Sequence, residues 1–425
     1  MMTLVDMSKH ELEQLLHELK SKYNGYKSKN LKLDMSRGKP APEQLEYCEE
    51  MLYCLNGNFK SENGIDVRNY GIPDGIPEAK RLFAQILDVD PANVIVGGNS
   101  SLSLMFDITS NAYLKGVLPG MKPWSTVEHP KFLCPVPGYD RHFSVTQFFG
   151  IEMINIPMDE QGPNMDLVEK LVADDDSIKG IWCVPKYSNP SGVTYSESVV
   201  KRLGALKPAA KDFRIFCDNA YVVHHLDINN QDKLYNIYQA CVEGGNEDMV
   251  YLFTSTSKIT FPGSGVCAMA ASPANIEYTR KLLSIKTIGY NKVNQLLHVR
   301  YLQDINGVSA LMERQASSVR PKFTMVQQVL NKELADLGCA NWSNPNGGYF
   351  VSFDTMPGCA KRVHRLCAEA GVTLTTAGAT YPYGIDPADG NIRIAPTYPP
   401  VSDLEIAMEL LALVVKIVSI EKLLA

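Results

Sequence analysis

The sequence predicts a doubly wound α/β fold: a mostly parallel central sheet in a large domain, accompanied by a smaller second α/β domain. Three observations carry this reading. Apolar runs at 213–217 and 249–253 break off into the polar groups Asp218-Asn219-Ala220-Tyr221 and Ser255-Thr256-Ser257-Lys258, as buried parallel strands do at their carboxyl ends. Asn189 (in Asn189-Pro190-Ser191-Gly192), Asp218 and Lys258 follow at intervals of 29 and 40 residues, each long enough for one helix-bearing crossover. At 425 residues the chain exceeds one typical core, so two domains are expected. Ligands in open α/β sheets sit at the carboxyl edge, which makes these polar groups the first candidates for function.

Taken in order, residues 1–20 interleave Glu11, Glu13 and Glu18 with leucines and hold no long apolar stretch. That excludes an ordinary signal peptide and predicts an amphipathic helix. Residues 31–40 read as an extended lead-in ending in Gly38 and Pro40. A helix is expected over 44–55, and the turn-rich stretch 69–75 precedes another beginning near Pro77. Val94 to Val96 is a short buried strand, followed by Gly97-Gly98-Asn99-Ser100-Ser101 and a helical pattern over 102–114. A helix amino terminus presents unpaired N–H groups, and glycines let the backbone approach an anion, so Gly98, Asn99, Ser100 and Ser101 are a candidate phosphate cradle. The same Asn99 or Ser100 would cap the helix with no ligand at all.

The next strand-like stretch ends at Cys134-Pro135-Val136-Pro137-Gly138-Tyr139. Toward the carboxy terminus, Asn391-Ile392-Arg393-Ile394-Ala395 reads as a short alternating strand. Residues 404–418 are apolar but carry Glu405 and Glu409, too polar to span a membrane, and predict a helix packed on the small domain.

Composition agrees with a soluble enzyme: 45% hydrophobic, 21% charged, and a net charge of −6 that gives no electrostatic reason to expect nucleic acid. The ten cysteines include no C-x-x-C pair and read as reduced thiols of a cytoplasmic protein. No metal site and no membrane partner are expected.

A lysine and an aspartate at neighbouring strand ends suit pyridoxal 5′-phosphate. The lysine amine forms a Schiff base with the cofactor's aldehyde, and a carboxylate keeps the pyridine nitrogen protonated so that the ring accepts electrons. With Lys258, Asp218, Tyr221, Asn189 and the glycine turn in this order, the chain resembles class I/II aminotransferases of the aspartate aminotransferase fold, fold type I among pyridoxal phosphate enzymes. It most resembles the type Ic aspartate aminotransferases, which are related to the catalytic domain of MocR-type regulators.

The resemblance implies a division into 1–56 (an amino-terminal helix and segment on the small domain), 57–305 (the large, cofactor-binding domain) and 306–425 (the small domain). It implies that Ser255 and Ser257 add contacts to the phosphate and that Tyr70 reaches it from a second subunit of a homodimer. Tyr139 would stack on the pyridine ring, and Asn189 and Tyr221 would hydrogen-bond its phenolate oxygen. Arg393, with Gly347-Gly348-Tyr349-Phe350 preceding it, falls on the substrate-carboxylate position, where a planar guanidinium grips bidentately. Gly38 belongs to the segment that passes close to substrate.

Most relatives carry a Pro-Gly-x-Arg segment after the lysine, whose arginine pairs with the phosphate. Here Gly265 stands at that arginine's position, within Phe261-Pro262-Gly263-Ser264-Gly265. Ser264, the helix dipole at Ser100, and Lys292 or Asn294 of the second subunit are the candidates to meet the charge. A dicarboxylic substrate needs another cation, for which Arg37 or Arg141 is the choice, with Lys39 nearby. An aromatic or aliphatic substrate would need an apolar wall such as Met35, Phe143 or Tyr381. The resemblance favours aspartate with 2-oxoglutarate by ping-pong transfer.

Competing readings are another pyridoxal phosphate reaction (β-elimination or decarboxylation), transfer from another amino acid, and a non-enzymatic MocR-like regulator. The last would need a DNA-binding module, and the roughly 30 residues before Leu31 lack the length and basic excess for one. A nucleotide-binding dehydrogenase would want Gly-x-Gly-x-x-Gly, to which Gly97-Gly98 does not extend.

Overall fold

The computed structural model describes residues 3–425. The amino-terminal helix expected over 1–20 is α1 (Lys9–Ser28), set by a capping box in which Ser8 and Glu11 satisfy each other's backbone N–H groups; Met1 and Met2 lie outside the described residues. Strand β1 (Leu33–Asp34) and a short helix α2 (Pro42–Glu46) follow. The single helix expected over 44–55 is not formed. Cys48 leaves helical geometry at φ −105° and ψ 0°, and Glu49–Tyr53 continues as a 3₁₀ turn. Gln44 itself sits inside α2, where its side-chain oxygen accepts from the Ala41 N–H at the helix start and its amide donates to Gln315 and Tyr349.

Helix α3 (Pro77–Leu87) leads into β2 (Val94–Val96), α4 (Ser101–Lys115), β3 (Lys131–Val136), α5 (Asp140–Phe148), β4 (Glu152–Asp159), β5 (Gly162–Pro163), α6 (Met165–Asp174), β6 (Ile178–Cys183), α7 (Glu197–Gly204), β7 (Arg214–Asp218), α8 (Ile237–Glu243), β8 (Val250–Ser255) and β9 (Cys267–Ala271). The eight strands β2 to β9 form one sheet in the order β2-β9-β8-β7-β6-β3-β4-β5. Strands β4, β3, β6, β7 and β8 are parallel neighbours, and β9 is inserted antiparallel between β8 and β2.

Side chains alternate between two buried faces. Ile215, Cys217, Val250 and Leu252 join one core with α3, α7 and α8, while Phe216, Tyr251 and Phe253 join the other with α4 and α5. This is the doubly wound arrangement expected, and it explains why the strands read as continuous apolar runs. Because β2, β3, β6, β7 and β8 point the same way, the turns after each open at one edge.

Helices α9 (Pro273–Lys286), α10 (Lys292–Leu302) and α11 (Ile305–Leu334) lead to β10 (Ala340–Trp342), β11 (Val351–Thr355), α12 (Ala360–Glu369), β12 (Val372–Thr373), β13 (Asn391–Ile394) and α13 (Val401–Leu424). An antiparallel sheet β10-β11-β13 and a two-stranded parallel sheet β1-β12 share a separate core with α1 and α13. The cores change within α11: Val308, Leu311 and Met312 belong to the large body, Val319 onward to the small one. The amino-terminal stretch is divided too, with Leu12, Leu19 and Met35 in the small core and Cys48 and Leu55 in the large one. All four residues of β13 are buried, so its apparent alternation does not mark a wet face.

Candidate active site

Two adjoining cavities lie at the carboxyl edge of the large sheet and share Tyr139, Asn189, Tyr221 and Lys258 as walls. The smaller, about 90 Å³, is lined by Ser100, Ser101, Asp218, Ser255 and Ser257. The larger, about 470 Å³, is lined by Arg37, Gly38, Asp140, Arg141, Phe350 and Arg393.

Asp218 ends β7 and is buried. Its Oδ2 lies 3.1 Å from His142 Nε2, and its Oδ1 has no hydrogen-bond partner among the described residues. His142 was not singled out in the sequence. Its ring stacks on Trp182 at 4.6 Å with the planes 11° apart, and the Trp182 indole N–H donates to Thr146, whose hydroxyl donates to the His142 carbonyl. The carboxylate is therefore held through one oxygen while the other is left without a partner. The only signal in the chain was His142's place three residues after Tyr139, on the same helical side.

Lys258 Nζ lies 4.9 Å from the Tyr221 ring centroid and 5.9 Å from that of Tyr349. Its carbonyl is within reach of His224 Nε2 at 3.3 Å and accepts from the Tyr349 hydroxyl at 3.4 Å. Burial, and secondarily the Lys258 charge, pushes His224 down to about 3, so its ring is neutral and serves as a fixed donor. A second brace comes from Gln44, which donates to Tyr349 and to Gln315, and from Gln315, which donates to the carbonyl of Ile259 at 2.6 Å. Burial raises the Tyr221 hydroxyl well above its ordinary range, and raises Tyr139 to about 12 against the opposing pull of Lys258.

At the amino end of α4, Ser100 accepts from the Leu102 N–H as the helix cap. Ser255 and Ser257 hydroxyls lie 3.2 Å apart beside it, and Ser257 donates to the Asn99 carbonyl at 3.2 Å. Gly98 and Asn99 do not line either cavity. Asn99 turns its amide to the Pro262 carbonyl and Gly98 lies against Tyr290, so of the four cradle candidates Ser100 and Ser101 line the smaller cavity, beside Ser255 and Ser257.

A family match covers residues 7–425 and is described as aspartate amino-transferase. The chain belongs to that family. An aspartate aminotransferase of Corynebacterium glutamicum is 48% identical over 93% of this chain and 91% of its own. The crystal structure of an aspartate transaminase from the same species is 46% identical, covers 99% of each chain and superposes with a TM-score of 0.96. An α-aminoadipate aminotransferase from Thermus thermophilus, 20% identical over 90% of this chain and 92% of its own with a TM-score of 0.74, shares the fold. The doubly wound fold and the aminotransferase reading of the sequence are borne out by these likenesses.

Within this aminotransferase framework, Gly265 has a steric reason. A Cβ there would lie 2.8 Å from the Asn99 carbonyl oxygen and 2.8 Å from Ser257 Oγ, closer than carbon and oxygen pack, so no arginine fits at this turn. Asn294 donates to the carbonyls of Ser264 and Gly265, and the Ser264 hydroxyl donates to Asn294, all within one chain. Lys292 is buried and lines neither cavity. Tyr70 is 80% exposed and reaches neither.

Arg393 on β13 donates through Nη1 to Asp140 Oδ1 at 3.1 Å and to Asn189 Oδ1 at 3.2 Å, and through Nε to Thr375 at 3.4 Å; its guanidinium lies 4.9 Å from the Phe350 ring. Gly38 is required by that ring, because a Cβ would come within 2.4 Å of it. Arg37 and Arg141 are exposed and border the same cavity. Lys39 does not: its ammonium sits over Tyr398 at 3.7 Å. Met35 and Phe143 are buried in the two cores and Tyr381 packs on one, so none supplies the apolar wall that Phe350 supplies.

Proposed function

We propose that this chain transfers the amino group of aspartate to 2-oxoglutarate with pyridoxal 5′-phosphate as cofactor. The observation that carries the reading is the partnerless, buried Asp218 Oδ1 in a cavity that Lys258 also lines, with three arginines around the adjoining cavity. The donor set fits the cofactor. Asp218 suits a protonated ring nitrogen; Ser100, Ser101, Ser255 and Ser257, at a helix amino terminus, suit a phosphate; Tyr139 suits a ring face; Asn189 and Tyr221 suit a phenolate oxygen.

When bound, the cofactor supplies an electron-accepting ring for the charge left when the substrate Cα loses its proton. Lys258 Nζ is the base that takes that proton, and His224 and Tyr349 fix its backbone for the purpose. Arg393 orients the α-carboxylate, with Gly38 and Phe350 closing the wall beside it, and Arg37 or Arg141 takes the distal carboxylate. Asp218, braced by His142, keeps the ring nitrogen protonated.

A homodimer belongs to the same proposal. Tyr70 is 80% exposed, Ile285 84% and Ile288 63%, large apolar side chains that a second copy would cover, and light scattering on the eluting protein tests it. The ten unpaired cysteines support a reducing, cytoplasmic setting, and among the described residues no helix is long and apolar enough to cross a membrane.

The deciding experiment is the visible absorption spectrum of the cofactor-loaded protein, with borohydride and then with L-aspartate, beside Lys258→Ala. A band trapped by borohydride, lost in the variant and shifted by aspartate supports both cofactor and donor. No band after incubation with the cofactor overturns the proposal, and a band indifferent to aspartate overturns the substrate. Parallel lines in a two-substrate analysis are the expected kinetics.

A further inference from the structure

We propose that Asp140 is a resident competitor for Arg393: its carboxylate holds the guanidinium until the substrate's α-carboxylate replaces it, and so sets how tightly carboxylate substrates bind. The proposal rests on reading Arg393 as the substrate-carboxylate group.

The pair joins the two bodies of the molecule. Asp140 opens α5 on the large sheet, and Arg393 lies on β13 of the small one, 3.1 Å across the cavity between them. Among the described residues lining the larger cavity, Asp140 is the single carboxylate, against Arg37, Arg141, Lys258 and Arg393. A substrate carboxylate that seeks Arg393 Nη1 meets an atom already donating to Asp140 and Asn189.

The two partners are not equally dependent on each other. The Arg393 side chain is 8% exposed and the Asp140 side chain 32%. A guanidinium that deep needs a countercharge at all times, because a buried unpaired charge is strongly unfavourable. Asp140 needs no such partner. It stands in the first turn of α5, where the helix dipole favours a carboxylate and water reaches it, so it can be released without leaving a charge stranded. Exchange of one carboxylate for another on the same guanidinium keeps Arg393 paired throughout. By contrast, in the Lys179–Asp212 pair both side chains are largely buried, at 7% and 16% exposed.

Two consequences follow. A molecule lacking a carboxylate cannot take Arg393, since it would have to displace an anion with nothing of like charge. The apparent affinity for true substrates is lowered by the fraction of protein in which Asp140 holds the site.

The test is calorimetric titration of cofactor-loaded wild type and Asp140→Asn with propionate, which offers one carboxylate and no amine, and with maleate, which offers two. If Asp140 competes, propionate binds Asp140→Asn more tightly, by about fivefold or more. Asp140→Ala repeats the measurement and should shift the same way. If Asp140 only orients Arg393, affinity in both variants stays the same or falls, and the proposal is overturned. Maleate reports on the substrate class separately. Tighter propionate binding in the variants, with maleate no better than propionate in any of the proteins, keeps Asp140's role and removes the dicarboxylate reading.

Discussion

Replacing Gly265 with alanine tests the packing under the proposed phosphate site with a single methyl group. The backbone there has φ −68° and ψ 170°, a conformation open to any residue, so the whole cost is steric. The new Cβ would stand 2.8 Å from the Asn99 carbonyl oxygen and 2.8 Å from Ser257 Oγ, with Ser257 Cα at 3.3 Å. Two of these three atoms are backbone and cannot rotate away, so either the turn at 97–101 or the turn at 255–258 must move. Overpacking of this kind costs about 1–3 kcal/mol, and losing the Ser257 to Asn99 hydrogen bond adds about 1 kcal/mol, for a total of about 2–4 kcal/mol. Urea unfolding of the cofactor-free protein is the assay, because bound cofactor would add its own stabilisation. The movement also displaces Ser100, Ser255 or Ser257, so cofactor affinity, read by titration of the visible band, should fall as well. A change below about 0.5 kcal/mol with unaltered cofactor affinity would refute the steric account of the missing arginine.

Three further outcomes are expected. His142→Phe keeps an aromatic ring against Trp182 but strips Asp218 of its one partner, and unfolding should register a loss of about 3–5 kcal/mol; adding Asp218→Asn should restore much of it, giving a large coupling in the double-mutant cycle. His224 and His298 are pushed down by burial to about 3 and about 4, so the unfolded chain, titrating near 6.5, binds protons that the folded protein refuses. Stability should therefore fall as pH drops from about 6.5 toward 4, by about 2 kcal/mol per histidine at pH 5, and His298→Gln should flatten the pH dependence of the urea midpoint. Of Arg37→Gln and Arg141→Gln, the one that removes the distal-carboxylate partner should raise KM for aspartate by on the order of 10²-fold while sparing a monocarboxylic amino acid such as alanine, measured side by side.

Much of the sheet and the placement of Lys258, Asp218, Tyr221, Asn189 and Tyr139 was legible because parallel strands buried on both faces are unbroken apolar runs, and chemistry begins where such a run stops. What was not legible depends on segments far apart in the chain. His142 looks like any histidine on a helix until β7 brings Asp218 against it, 76 residues later. Gln44 reads as an ordinary helix-surface residue, yet its amide is committed to a partner 271 residues away, and local propensity has no access to that. Gly38 reads as a turn residue, yet its reason is the ring of Phe350. Lys39, Met35 and Phe143 had suitable chemistry and adjacent positions, but their side chains point to Tyr398 or into the cores.

The brace running from Gln44 through Tyr349 and Gln315 to the carbonyls of Lys258 and Ile259 bears on modularity. Three stretches that a map of boundaries would assign to different units meet under one lysine. A fragment cut to the large sheet alone would keep its strands, much of its core and the His224 contact to Lys258, yet the Lys258 carbonyl would lose Tyr349 and the Ile259 carbonyl would lose Gln315. Swapping the small body between relatives would succeed only if residues 41–44 travelled with it. The smallest heritable piece of this site spans all three stretches at once.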